Sequence, residues 1–144
     1  MKKIIAAAVA SVIVLMQGIA VMGAEVTVNF EGKKMDFDVA PFIEEDRTLV
    51  PMRAIFEAAG ANVSWDGDTR TVIAIYEANG APKYIVLQID NPMVFVNEEK
   101  YELDVPARIV GDRTFVPLRF VMETLGREVL WNGDTYTVDI GAAK

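Results

Sequence analysis

The chain contains no histidine and no cysteine in 144 residues. Copper and zinc sites depend on imidazole nitrogen and thiolate sulfur, so a copper or zinc centre is excluded, and no cofactor is expected. A Ser-His-Asp or Cys-His catalytic device is excluded for the same reason. Disulfides and a lipid-modified cysteine are excluded too, so stability has to come from an apolar core. Serine is nearly missing: beyond residue 24 only Ser64 occurs, with no imidazole to activate it. Positive charge is scarce, with 14 Lys and Arg against 21 Asp and Glu, a net charge of −7. An acidic surface repels nucleic acid and anionic lipid. Binding to DNA, RNA or a membrane surface is therefore excluded as a main role. No low-complexity linker interrupts the chain.

One long uncharged run is present, and it stands at the start. Lys2 and Lys3 precede an Ala-, Val- and Ile-rich stretch from Ile4 to Met22, followed by Gly23, Ala24 and the first acid, Glu25. This layout predicts a secretory signal peptide over residues 1–24 and an exported protein over 25–144. The alternative is a retained N-terminal anchor, since ~20 apolar residues can span a bilayer. Membrane association is expected only through that segment. Without it the chain carries 12 Lys and Arg against 21 Asp and Glu, about −9. Its length then suits one compact domain or two very small ones.

The rest of the sequence is written twice. Asp46 to Ala74 reads DRTLVPMRAIFEAAGANVSWDGDTRTVIA, and Asp112 to Ile140 reads DRTFVPLRFVMETLGREVLWNGDTYTVDI. Fifteen of these 29 aligned positions are identical. The shared residues include Pro51/Pro117, Arg53/Arg119, Gly60/Gly126, Trp65/Trp131, Gly67/Gly133 and Asp68/Asp134. Upstream, Asp38-Val39 matches Asp104-Val105. The two repeats cover residues 26–90 and 91–140.

Each repeat begins with a predicted hairpin: Val26 to Phe30 with Met35 to Val39, and Met93 to Val96 with Tyr101 to Val105. A short helix follows. Pro51 and Pro117 suit its first turn, and Gly60 and Gly126 its left-handed end. Met52, Ile55, Phe56 and Ala59 form one apolar stripe, as do Leu118, Val121, Met122 and Leu125. So short a helix is unstable alone and must pack on a sheet. A second hairpin turns at Asp66-Gly67-Asp68 and at Asn132-Gly133-Asp134. A strand from Lys83 to Ile89 bridges the copies. The expected fold is α+β, a mainly antiparallel sheet curled around short helices in two pseudo-equivalent ββαββ repeats. One continuous module is favoured over two subdomains divided near Asn91.

The combination of a hairpin, D-R-T-x-V-P-x-R, a helix, Gly and V-x-W-x-G-D-T-x-T-V resembles the copper amine oxidase N-terminal-like, or stalk, domain of exported Gram-positive bacterial proteins. The resemblance covers essentially all of residues 26–140. It implies an antiparallel sheet curled around a helix and a non-catalytic extracellular module. The copper chemistry of the parent enzymes lies in another domain, and nothing in this chain resembles that domain.

The candidate chemistry of individual residues is limited. The duplicated acids Glu57/Glu123, Asp68/Asp134 and Asp46/Asp112 could supply a glycosidase-type carboxylate pair, but no pair stands out, and each has a structural explanation. Asp66, Asp68 and Thr69 could be read as calcium ligands. Calcium takes six to eight oxygens, and the second copy puts Asn132 in place of Asp66, so a hydrogen-bonded turn is the better reading. Arg53 with Glu57 and Arg119 with Glu123 have the i,i+4 spacing of helix-surface ion pairs. An anion-binding Arg is the rival reading.

Trp65 and Trp131 alternate with Val63 and Val129. That places them on the core side of their strands, covering the helix stripes near Phe56 and Met122. A sugar-stacking role would need them exposed, and Tyr76, Tyr84 and Tyr101 are further candidates for a ligand. Phe120 lies nearly opposite the stripe of its helix, where the first copy has Ala54. It is a candidate contact to the other repeat, to a second subunit of a homo-oligomer or to another protein.

The sequence therefore predicts a secreted, cell-envelope-associated, non-enzymatic stalk or interaction module whose partner is a protein or a cell-wall component. A carbohydrate- or wall-binding domain is the first alternative, and a small carboxylate-dependent hydrolase the second. Because imidazole and thiolate are absent, dialysed protein is expected to carry no stoichiometric copper or zinc in elemental analysis. About one copper per chain would contradict this.

Overall fold

The R-T-x-V-P part of the repeated motif is itself a strand. In the computed structural model, which describes residues 25–78 and 80–143, β3 (Phe42–Glu44) and β4 (Arg47–Pro51) form a hairpin. Its two-residue turn is Glu45-Asp46, with φ 50 and 66. In the second copy, β10 (Arg108–Val110) and β11 (Arg113–Pro117) turn at Gly111-Asp112, with φ 56 and 65. Two successive left-handed residues make the hairpin turn whose twist matches that of the strands. Asp tolerates this conformation better than most side chains, which accounts for Asp46 and Asp112. Each repeat is thus ββββαββ rather than ββαββ. The segment read as a signal peptide lies outside the described residues.

The leading hairpins are shorter than the sequence suggests. β1 (Thr27–Phe30) pairs with β2 (Lys33–Lys34), and β8 (Met93–Val96) with β9 (Glu99–Glu102). Helices α1 (Met52–Ala58) and α2 (Leu118–Thr124) follow directly on β4 and β11. Pro51 and Pro117 close those strands and cap the helices rather than lying within the first turn. Gly60 and Gly126 adopt φ 89 and 83 just after the helices, and each N–H bonds a carbonyl of the last turn. The trailing hairpins are β5 (Asn62–Asp66) with β6 (Thr71–Ala78), and β12 (Arg127–Asn132) with β13 (Thr137–Ala143). Strand β7 (Ala81–Gln88) leads from the first repeat into the second.

The repeats interlock. β4 and β11 run antiparallel at the centre of a sheet ordered β10-β11-β4-β3, with Val50 opposite Val116. These two valines hold the same place in the repeat, so a local twofold axis passes between them. Each repeat also gives its leading hairpin to the other. β1 adds in parallel to β13, from Thr27 opposite Thr137 to Phe30 opposite Ile140, in a sheet ordered β12-β13-β1-β2. β8 and β9 join β5 and β6 through β7 in a sheet ordered β5-β6-β7-β8-β9. Because β7 is antiparallel to both neighbours, β6 and β8 run the same way, as β13 and β1 do. Neither repeat closes on its own strands.

One main core spans both copies. Ile55 and Phe56 of α1 and Val121 and Met122 of α2 are fully buried in it, together with Val28, Ile85 and Ile140 from the outer sheets. The predicted stripes are thus the buried faces of the helices. A smaller cluster of Leu49, Val105 and Phe115 lies on the other side of the central sheet, packed by Val39, Phe42 and Val110. There the rings of Phe42 and Phe115 meet at a 54° tilt, 4.9 Å between centroids.

Two ion pairs related by the twofold axis tie the loops over this small cluster. Arg113 donates from Nε and Nη2 to Asp38 at 2.9 and 2.6 Å, and its twin Arg47 pairs with Asp104. Each arginine thus reaches the aspartate of the opposite repeat. The Arg113 guanidinium, mainly through its hydrogen bonds, holds the Asp38 carboxyl below the ordinary aspartate pKa. A depressed folded-state pKa means that the unfolded chain binds the proton more readily. The contribution is therefore present above the ordinary value of about 4 and is lost as pH falls from there through the lower folded value. Asp38→Asn is expected to flatten that acid limb of the melting temperature, as seen by circular dichroism. An unchanged acid limb in the variant would show that the pair contributes nothing.

Candidate functional site

A groove lined mostly by the second repeat gathers several of the residues that could meet a ligand. It has a volume of about 910 Å³ and runs between the start of β4, the segment Glu102–Val105, the first turn of α2 and the hairpin of β12 and β13. Its rim carries Trp131, Tyr136 and Phe120 beside two ion pairs, Arg119 with Glu123 and Arg47 with Asp104. Its floor is made of Leu103, Val105, Leu118, Val129 and Val138, all buried.

Trp131 and Trp65 are not core residues. They are 41% and 39% exposed, which corrects the expectation that they cover the helices. Val129 lies under α2 and is buried, and Trp131 is two residues further along the same face. There β12 approaches the turn, and among the described residues the indole is only partly covered. The ring folds over the turn. A Cβ on Gly133 would stand 3.4 Å from Trp131 Nε1, and one on Gly67 3.5 Å from Trp65 Nε1. The shared W-x-G spacing is therefore a close approach of indole to turn backbone. Tyr136, which the sequence reading passed over, is 38% exposed and stands edge-on to Trp131 with centroids 5.7 Å apart. The signal for it was its own repeat partner, Arg70.

The turns themselves are hydrogen-bonded as expected. Asp66 Oδ1 accepts from the N–H of Asp68 and Thr69 at 3.0 and 3.4 Å, and Asn132 Oδ1 accepts from Asp134 and Thr135 at 2.9 and 3.3 Å. An uncharged amide does the work of a carboxylate in the second copy, so the turn uses an acceptor oxygen and not a charge. Among the described residues, no group of three or more Asp and Glu side chains is arranged to hold a metal ion.

Arg53 and Arg119 make the helix-surface pairs. Arg53 Nη1 reaches Glu57 Oε2 at 3.3 Å, and Arg119 Nη1 reaches Glu123 Oε2 at 3.0 Å. Arg119 also donates to the Val129 carbonyl at 3.0 Å, which fixes it at the groove wall. The structure brings Arg119, Trp131, Gly133 and Pro117 to one groove, while Gly60, Gly126 and Pro51 serve the backbone elsewhere. Phe120, opposite its helix stripe, is half-buried and meets Tyr101 of β9 edge-on at 6.0 Å. Its covering group thus comes in part from within the chain. Tyr76 is half-buried against the main core, while Tyr84 is exposed on the outer face of its sheet and Tyr101 is exposed at the groove's flank.

The chain is 28% identical over 115 residues to a protein from Brevibacillus choshinensis named "Protease inhibitor". The match takes in 79% of this chain but only 34% of that relative, so the chain spans about a third of the relative's length. The sequence profile described as "Copper amine oxidase N-terminal domain" matches residues 29–140, from β1 to β13. In copper amine oxidases this domain is a non-catalytic module. With nearly all of both repeats inside that match, the chain belongs to the copper amine oxidase N-terminal domain family.

Proposed function

We propose that this chain is a non-catalytic, extracellular interaction module of the bacterial cell envelope that holds its partner in the groove of the second repeat. The observation that carries this reading is the exposure of Trp131 and Tyr136 on the groove's rim. Exposed aromatic rings beside fixed polar pairs are the composition of a binding surface. The absence of His and Cys supports a role without chemistry, and the apolar start of the chain supports export. Stalk function fits the same features, with the interlocked repeats acting as a stiff spacer. A relative named a protease inhibitor makes protein the second class of partner to test.

Capture from a solubilised envelope fraction tests the assignment. Immobilised full chain is expected to retain envelope material that the Trp131→Ala, Tyr136→Ala double variant does not, while both keep the same far-ultraviolet circular dichroism. Equal capture by the folded variant would overturn the groove as the binding surface.

A further inference from the structure

The twofold axis supplies an internal control for function, because every groove residue has a twin across it. The twins of Arg119, Glu123 and Trp131 are Arg53, Glu57 and Trp65, and the twins of Arg47 and Asp104 are Arg113 and Asp38. These positions keep their residue types, so they do not by themselves distinguish the two sides of the axis. Among the lining residues, Glu102, Leu103 and Leu118 stand opposite Asp36, Phe37 and Met52, changes that keep acid or apolar character. Phe120 and Tyr136 in the lining, and Tyr101 at its flank, face the non-aromatic Ala54, Arg70 and Met35. These three changes each put an aromatic ring at the groove. Phe120 and Tyr101 touch each other, and Tyr136 touches Trp131. A fold that needed these rings would carry them in both copies.

The chemistry of the groove narrows what it takes. Its exposed apolar surface is mostly aromatic. The aliphatic residues of the floor are buried, and Ile43 is the one aliphatic lining residue with substantial exposure, at 38%. That supply is poor for an apolar peptide. Ring faces do suit the C–H face of a pyranose, which buries apolar area without giving up its equatorial hydroxyls. Beside the rings stand two guanidinium–carboxylate pairs, Arg119 with Glu123 and Arg47 with Asp104, about half exposed. Each pair offers fixed donors and acceptors side by side, which matches hydroxyl groups that both donate and accept. Asp46 and Glu102 add a negative excess to the lining. That excess disfavours phosphate-bearing and uronic acid polymers.

We infer that the groove binds a neutral, extended glycan, with sugar rings stacked on Trp131 and Tyr136 and their hydroxyls held by the two ion pairs. This rests on the groove being the binding surface and adds the class of ligand.

Intrinsic fluorescence tests it directly, because the chain holds two Trp residues. In the full chain carrying Trp65→Phe, Trp131 is the sole emitter. Titration with chitohexaose and with cellohexaose is expected to give a saturable change in its emission with at least one of the two. Tyr136→Ala in the same background is expected to weaken that binding by about tenfold or more, equivalent to about 1.4 kcal/mol. In the native background, Trp131→Ala should abolish binding measured by calorimetry, while Trp65→Phe should leave it unchanged. Absence of a saturable signal with both sugars, in protein with native circular dichroism, would overturn the glycan assignment. If envelope capture still depends on Trp131 in that case, the interaction module stands and only the ligand class falls. Saturation by a Lys- and Arg-rich peptide in place of the sugars would equally overturn it, in favour of a protein partner.

Discussion

The pairing of β4 with β11 about Val50 and Val116 is the constraint from which the rest follows. Two copies of one sequence meet there in register, and both valines are fully buried. An isolated repeat could not bury its short helix, because seven helical residues gain too little from propensity alone. The central pairing brings α1 and α2 together over one face of a shared sheet. Each repeat's leading hairpin then lies beside the other's trailing hairpin, and the core closes across the axis. The crossed pairs of Arg47 with Asp104 and Arg113 with Asp38 lock the loops behind that sheet. Each pair is exposed, so its value lies less in energy than in fixing which loop lies where.

Symmetry of the frame leaves room for asymmetry at the surface. The first repeat is followed by β7, which widens its outer sheet, while the second repeat has Arg127 where the first has Ala61. Arg127 is only 9% exposed at its side chain and holds Glu31 and the Gly141 carbonyl at 2.6 and 2.9 Å, with its guanidinium 4.4 Å from the centre of the Phe30 ring. It ties β1 to β13 directly, where the first repeat has β7 between the corresponding strands. The aromatic groove lies on this same half. The central strands and helix stripes are thus common to both copies, and Phe120, Tyr136 and Arg127, each present in one copy, set the two halves apart.

Much of this was legible from the chain, and the failures have physical causes. The helix stripes, the left-handed glycines and the Asp and Asn turns were readable because each rests on local chemistry. The strand Arg47–Pro51 was not, because Arg, Thr and a terminal proline hide a short central strand from period-two reading. Hairpin exchange was invisible, since a repeat that closes on itself and one that swaps have the same sequence. Trp65 and Trp131 show a different limit. Alternation with Val63 and Val129 gave the correct face of the strand but not how far along it the core reaches. In the second copy two residues, about 7 Å of strand, separate buried Val129 from exposed Trp131. The Asp38 and Asp104 partners of the crossed pairs were visible only as duplicated letters, with no sign that each serves the opposite copy.

The central claim is that the frame and the groove are separate sets of residues, and paired melting of two variants tests it most directly. Phe115 is fully buried behind the central sheet. Truncation to alanine there should cost about 3–5 kcal/mol, as for other buried aromatic residues. Trp131→Ala, at a larger side chain, should cost less than half as much, because that ring is 41% exposed and covers a turn rather than the core. Equal losses in the two variants would contradict the account, since Trp131 would then belong to the frame.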